Sequence, residues 1–147
     1  MPILNSINFT IPGAPIGKGR PRFARHGAHV VAYTPHKTVN FEAVVKIMAS
    51  QAMAGKSLLT RPVALHIDMY MPIPASWSKK RQQLAHSGLI GATTKPDIDN
   101  ITKGIFDSLN GVVYLDDKQI VSLTASKQYG LIPRVEVRVQ EYEKEAA

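Results

Sequence analysis

Apolar residues occupy every second position from Val63 to Met71 (Val63, Leu65, Ile67, Met69, Met71), which predicts a strand with one buried face, closed by Pro72 and Pro74. Ile3 to Ile11 alternates more loosely, is rich in Ile, Phe and Thr, and reads as a first strand ending at Pro12-Gly13. Ile120 to Tyr129 and Arg134 to Val139 read as two more strands, and the Gly130–Pro133 turn between them predicts an antiparallel hairpin. Val30 to Tyr33 is a short strand, the far side of a hairpin arm that follows a Gly/Pro/basic loop from Gly13 to Arg25.

Helical spacing appears in three places. Phe41, Val44, Val45, Met48, Ala49 and Ala52 predict a helix of about five turns ending near Gly55, with Thr34 as N-cap and Pro35 in the first helical position. Ser76 to Ala85 reads as a polar surface helix capped by Ser76. Asp97 starts a third helix, running to Leu109, with Ile98, Ile101, Ile105, Phe106 and Leu109 on its core face and Asn110-Gly111 as the turn beyond. Glu141 to Ala147 reads as a frayed tail. With no repeat and no linker, residues 1–147 form one α/β (α+β) domain with a mixed β-sheet packed against helices.

Composition removes several classes. The chain has no cysteine, so a disulfide framework and a thiolate zinc site are both excluded. No apolar run approaches the roughly 20 residues that cross a bilayer, and the N-terminus lacks a signal-peptide pattern, so a cytoplasmic protein with no membrane partner is expected. The charge of +7 is unevenly placed: +7 over residues 1–61, +3 over 62–96 and −3 over 97–147. A basic first half suits a polyanion such as nucleic acid.

The acidic part is concentrated. Asp97, Asp99, Asp116 and Asp117 fall within 21 positions, one pair on each side of the third helix. Like charges so grouped repel unless a cation sits among them, and Mg²⁺ takes oxygen ligands of this kind. The competing reading is structural: Asp97 caps the helix, and its positive N-terminus favours an acidic first turn. Capping leaves the return of Asp116-Asp117 unexplained. Lys103, four residues after Asp99, lies on the same helix face, either as a surface ion pair or as a cation beside the metal. Asp107, four residues further on, is expected to pair with Lys103.

Gly17-Lys18-Gly19-Arg20-Pro21-Arg22-Phe23-Ala24-Arg25 packs four cations among glycines, so Lys18, Arg20, Arg22, Arg25 and Lys95 are the expected phosphate contacts, with Phe23 available for stacking. Trp77 and Lys79-Lys80-Arg81 are a weaker second candidate. Gly13–Gly19 is not a P-loop, because it is one residue short and lacks a hydroxyl residue after Lys18. Asp97 onward is not an EF-hand, because Ile101 and Thr102 stand where an oxygen ligand and a glycine are needed.

Lys95-Pro96-Asp97-Ile98-Asp99-Asn100-Ile101-Thr102-Lys103, then Phe106-Asp107-Ser108-Leu109, then Leu115-Asp116-Asp117-Lys118-Gln119-Ile120-Val121, resembles the RusA family of Holliday junction resolvases. The Gly17–Arg22 loop, Tyr33-Thr34-Pro35 and Lys127-x-Tyr129 are similar to its phage- and prophage-borne members. The resemblance implies a Mg²⁺-dependent homodimeric endonuclease, with Mn²⁺ able to substitute, whose partner is branched DNA, the four-way junction, nicked symmetrically in recombination and repair. It places catalytic, metal-holding carboxylates on Asp97, Asp99 and Asp117 and a catalytic lysine on Lys103, with Asp116 a further ligand candidate. Two rivals are a non-catalytic branched-DNA binder and a metal-dependent nucleotide phosphoesterase.

Overall fold

The computed structural model describes residues 5–19, 22–33 and 36–142, with Arg22 described in its backbone alone. Strand β1 (Ser6–Pro12) leads through a loop to β2 (Arg22–His26) and β3 (His29–Tyr33). Helix α1 (His36–Met53) and strand β4 (Val63–Pro72) follow, then α2 (Lys79–His86) and α3 (Ile98–Leu109). A 3₁₀ turn (Asp117–Gln119), β5 (Ile120–Gly130) and β6 (Arg134–Glu141) complete the chain. The result is a single α+β domain with a mixed sheet and, among the described residues, three α-helices. None of these is long and apolar enough to cross a membrane. The expected Ile3-Leu4 start of the first strand, the Thr34-Pro35 helix start and residues 143–147 of the tail lie outside the described residues.

The main sheet has the order β1-β6-β4-β5. β6 runs antiparallel to both β1 and β4, while β4 and β5 are parallel. The expected β5–β6 hairpin is therefore wrong. Both strands exist, but β4 lies between them, and the short Gly130–Pro133 segment crosses the end of β4 instead of folding the two strands together. Periodicity defines a strand and its buried face, whereas strand order depends on which strand buries most, and β4 alternates perfectly along its whole length.

The alternation builds a two-layer molecule. Ile7, Phe9 and Ile11 of β1, Val63, Leu65, Ile67 and Met69 of β4, and Val135, Val137 and Val139 of β6 all point into one core. Phe41, Val45, Ala49 and Met53 of α1 and Ile101, Ile105 and Leu109 of α3 cover it. The opposite sheet face is polar, carrying Asn8, His66, Asp68, Glu136 and Arg138. A smaller cluster (Met71, Ala85, Ala92, Tyr129) seats α2 at the far end of β5.

Two further expectations shift. Residues 22–25, expected as loop, belong to β2, which pairs with β3 through the Gly27-Ala28 turn, where Gly27 has φ of +62°. The expected hairpin arm is thus present, and it presents Phe23, Val30, Val31 and Tyr33 to solvent. Helix α2 is capped by Ser78, whose side chain accepts from the Arg81 N–H at 3.2 Å, and not by Ser76. Trp77 is half-buried against Tyr129, which holds the preceding residues out of the helix.

Helix α3 depends on its buried stripe, and Ile105 at its centre is fully enclosed. Ile105→Ala is expected to lower the unfolding free energy by about 2–5 kcal/mol, measured by urea denaturation. A loss below about 1 kcal/mol would show that this helix is not held by its core face.

Candidate active site

The site is built around the N-terminal half of α3. Asp97 occupies the N-cap position, and its carbonyl accepts the first helical bond from Ile101 N–H at 3.1 Å. Its side chain, however, makes no capping hydrogen bond. The capping explanation for Asp97 therefore fails, and its exposed carboxylate retains only the favourable field of the helix N-terminus. Asp99 is exposed in the first turn.

Two clamps fix the entry to this helix. Lys127, on β5, donates from Nζ to the carbonyls of Thr94 at 2.7 Å and Pro96 at 3.0 Å, which pins the chain just before Asp97. Lys127 follows Leu123 and Ala125 at alternate positions on the helix-facing side of β5, and a cation in such a register signals an internal partner.

The second clamp is the strap 17–19. Gly19 N–H donates to Thr38 Oγ1 at 2.9 Å on α1, and Lys18 N–H donates to the Asn100 carbonyl at 3.0 Å on α3. Gly17 must be glycine, because a Cβ there would stand 2.8 Å from Pro96 Cβ. Lys18 Nζ lies between Glu42 Oε1 at 2.8 Å and Asp107 Oδ2 at 3.1 Å. One expectation is corrected by this triad. Lys18 is part-buried and bridges α1 and α3. Asp107 pairs with Lys18 and not with Lys103.

Beyond α3 the chain returns through a buried tyrosine. Tyr114 donates its hydroxyl to the Phe106 carbonyl at 2.9 Å. Burial first, then the negative charges of Asp117, Asp107 and Asp116, push its pKa well above the ordinary value, so the phenol stays a donor. Asp116 caps the 3₁₀ turn: its carboxylate accepts from Lys118 N–H at 2.9 Å while its own N–H donates to Gln119 Oε1 at 2.9 Å. Gln119 Nε2 donates to the carbonyls of Leu59 at 2.9 Å and Arg61 at 3.0 Å. Periodicity does not mark Tyr114, whose partner is a backbone carbonyl of α3, and Gln119 stands in the quoted Leu115–Val121 motif without its Leu59 and Arg61 partners being legible.

These supports leave one cleft of about 390 Å³ between α3 and β5, lined by Asp99, Lys103, Asp107 and Asp117 together with Ile98, Thr102, Phe106, Leu123 and Ala125. Asp99, Lys103 and Asp117 are thereby brought to one place, whereas Asp97 and Asp116 do not line it. Among the described residues, the side chains of Asp99, Asp117 and Lys103 make no hydrogen bond or ion pair. The surface-pair reading of Lys103 thus lacks a partner. Among the described residues no three Asp, Glu or His side chains gather into a cage. Two open carboxylates with unused oxygens fit Mg²⁺, which keeps several waters and takes one or two carboxylates, and do not fit a closed structural zinc site.

Of the other expected contacts, Arg25 and Phe23 are exposed on the hairpin and Lys95 is exposed beside the Pro96 clamp. Arg20 and the Arg22 side chain lie outside the described residues.

The triad makes a stability prediction. Burial pulls the Lys18 pKa down, but its hydrogen bonds to Glu42 and Asp107 outweigh this and raise it above 10.5. A raised lysine stabilises fully below its unfolded value, and the gain is lost as pH climbs through the folded value. Lys18→Met should therefore cost about 1.5–3 kcal/mol at neutral pH, shrinking in strongly alkaline buffer, measured by urea unfolding. A surface phosphate contact would instead leave stability within about 0.5 kcal/mol.

The chain is similar to YqaN of Bacillus subtilis (strain 168), an uncharacterized protein, with 41% identity over 140 residues, covering 94% of this chain and 98% of that one. The family model of endodeoxyribonuclease RusA matches residues 12–140, which take in the strap, α3, the carboxylates and nearly all of the sheet. The chain belongs to the RusA endodeoxyribonuclease family.

Proposed function

We propose that this protein is a Mg²⁺-dependent, homodimeric endonuclease that resolves four-way DNA junctions by paired, symmetric nicks. The observation that carries the reading is the cleft in which Asp99, Asp117 and Lys103 meet with no internal partner among the described residues. Charges left unsatisfied at a surface cleft of a basic protein suit a polyanionic substrate and a cation. Family membership supplies the nucleic-acid substrate, since RusA endodeoxyribonucleases act on branched DNA.

Asp99 and Asp117, the two carboxylates that line the cleft unpaired among the described residues, would hold the ion. Mg²⁺, when bound, polarises the scissile phosphate and lowers the pKa of water near it, and Mn²⁺ offers the same chemistry. Lys103 presents an ammonium to the same cleft, where it donates hydrogen bonds to a phosphoryl oxygen and stabilises the charge that develops there. Thr102, Phe106, Leu123 and Ala125 form the wall that holds these groups at one surface. Arg25 and Lys95 contact phosphates outside the cleft. Cutting opposite strands of a two-fold junction requires two such clefts, which a symmetric dimer provides.

The test uses a synthetic four-way junction and a matched duplex, each with Mg²⁺ or with chelator. Paired nicks in the junction alone, abolished by chelator, are expected. Asp99→Asn and Asp117→Asn should abolish cleavage while keeping junction affinity, and Lys103→Ala should slow cleavage by at least about 10²-fold. Binding without cutting by the unmutated protein would favour a junction-binding protein. Nucleotide hydrolysis without junction cleavage would favour a small phosphoesterase.

A further inference from the structure

Residues 69–96 contain Lys79, Lys80, Arg81 and Lys95 and no acid at all. Three of these cations form the first turn of α2, where the helix dipole disfavours positive charge. Packing does not account for them: Lys79 and Lys80 are exposed, and the buried residue of α2 is Ala85. Among the described residues none of the three has a carboxylate partner. A solubility charge would sit more stably at the other end of the helix.

Arg81 is held in place. Its guanidinium lies 3.9 Å over the Trp77 ring, and Trp77 stands edge-on to Tyr129 with ring centroids 5.4 Å apart. Stacking on an aromatic face fixes the guanidinium plane and leaves its N–H edge free for an anion, which a flexible surface arginine does not achieve.

The position of this group follows from the register of β5. Leu123, Ala125, Lys127 and Tyr129 share the side that faces the helices, opposite Leu65, Ile67, Met69 and Met71. Leu123 and Ala125 wall the cleft, Lys127 clamps the loop that displays Lys95, and Tyr129 carries Trp77 and Arg81. The cleft, Lys95 and α2 therefore lie in sequence along one strand. Six residues of strand span about 20 Å, the axial rise of about six phosphates of one DNA strand.

We infer that Lys79, Lys80 and Arg81 form a second phosphate-binding surface, which grips the duplex arm about six nucleotides from the cut in the junction bound at the cleft. This rests on the endonuclease reading above. The ligand is a DNA backbone, read by charge and without base sequence. The surface sets affinity and placement of the arm and leaves the chemistry at Asp99, Asp117 and Lys103 untouched.

The experiment measures junction binding by fluorescence anisotropy across a salt series, for the unmutated protein, for K79A/K80A and for a control pair, K46A/K56A, which removes the same charge elsewhere. K79A/K80A should weaken binding and flatten log K against log salt by about 0.9 for each phosphate no longer neutralised. Neutral methylphosphonates at the phosphates five to eight steps from the cut should weaken binding of the unmutated protein and leave K79A/K80A indifferent. An unchanged slope in K79A/K80A, an equal effect from the control pair, or equal sensitivity of both proteins to the methylphosphonates overturns the inference. If the unmutated protein neither binds nor cuts the junction, the endonuclease reading itself has failed, an outcome distinct from these three.

Discussion

The ammonium of Lys18, set between Glu42 on α1 and Asp107 on α3, is the constraint on which the site depends. Helix α3 carries Asp99 and Lys103 on its exposed face, opposite its buried stripe. The strap at 17–19 ties it to α1 by bonding to both helices, through Thr38 on one side and Asn100 on the other. Lys127 does the same for the approach to Asp97. Charge-assisted bonds suit this role because their geometry is narrow and their loss in a half-buried place is costly. Two lysines of a basic protein thus hold backbone and carboxylates in register.

The same accounting explains how several carboxylates coexist within 21 residues. Asp107 is neutralised by Lys18, and Asp116 is engaged in a capping box. Asp97 and Asp99 sit at the positive end of α3. Only Asp99 and Asp117 reach the cleft with no internal side-chain bond among the described residues. Repulsion is therefore distributed, and what remains is directed at one open surface next to Lys103.

Much of this was legible in the sequence. Strict alternation gave β4 its limits and its buried face, and the spacing of Ile101, Ile105 and Leu109 gave α3 almost to the residue. The shared helix face of Asp99 and Lys103 followed from periodicity, and the choice of Asp117 as their neighbour from the resemblance to the RusA family. What was not legible depends on partners distant in sequence. A lysine in a glycine-rich loop looks the same whether it meets phosphate or two carboxylates from other elements. Ser76 and Ser78 are equal as caps until Trp77 is anchored on Tyr129. The β5–β6 pairing failed for the same reason: a short turn between two strands suggests a hairpin, and only the competition for the sheet centre shows that β4 separates them.

That strand order has a consequence for the site. Parallel neighbours cannot be joined by a tight turn and need a crossover over one face of the sheet. The chain from β4 to β5 is that crossover, and it contains α2, the Lys127-clamped loop, α3 and the Asp116-Asp117 turn. Every candidate site residue except those of the strap and the hairpin arm therefore lies in one connection, packed on β5. Because β5 is the edge of the sheet among the described residues, no further described strand covers its outer side, and the cleft lies between it and α3. An antiparallel β5–β6 hairpin could have placed β5 beside β6, but it would have supplied no such edge next to α3. The parallel arrangement is what places the cleft, the Lys127-clamped loop and α2 in order along one edge strand.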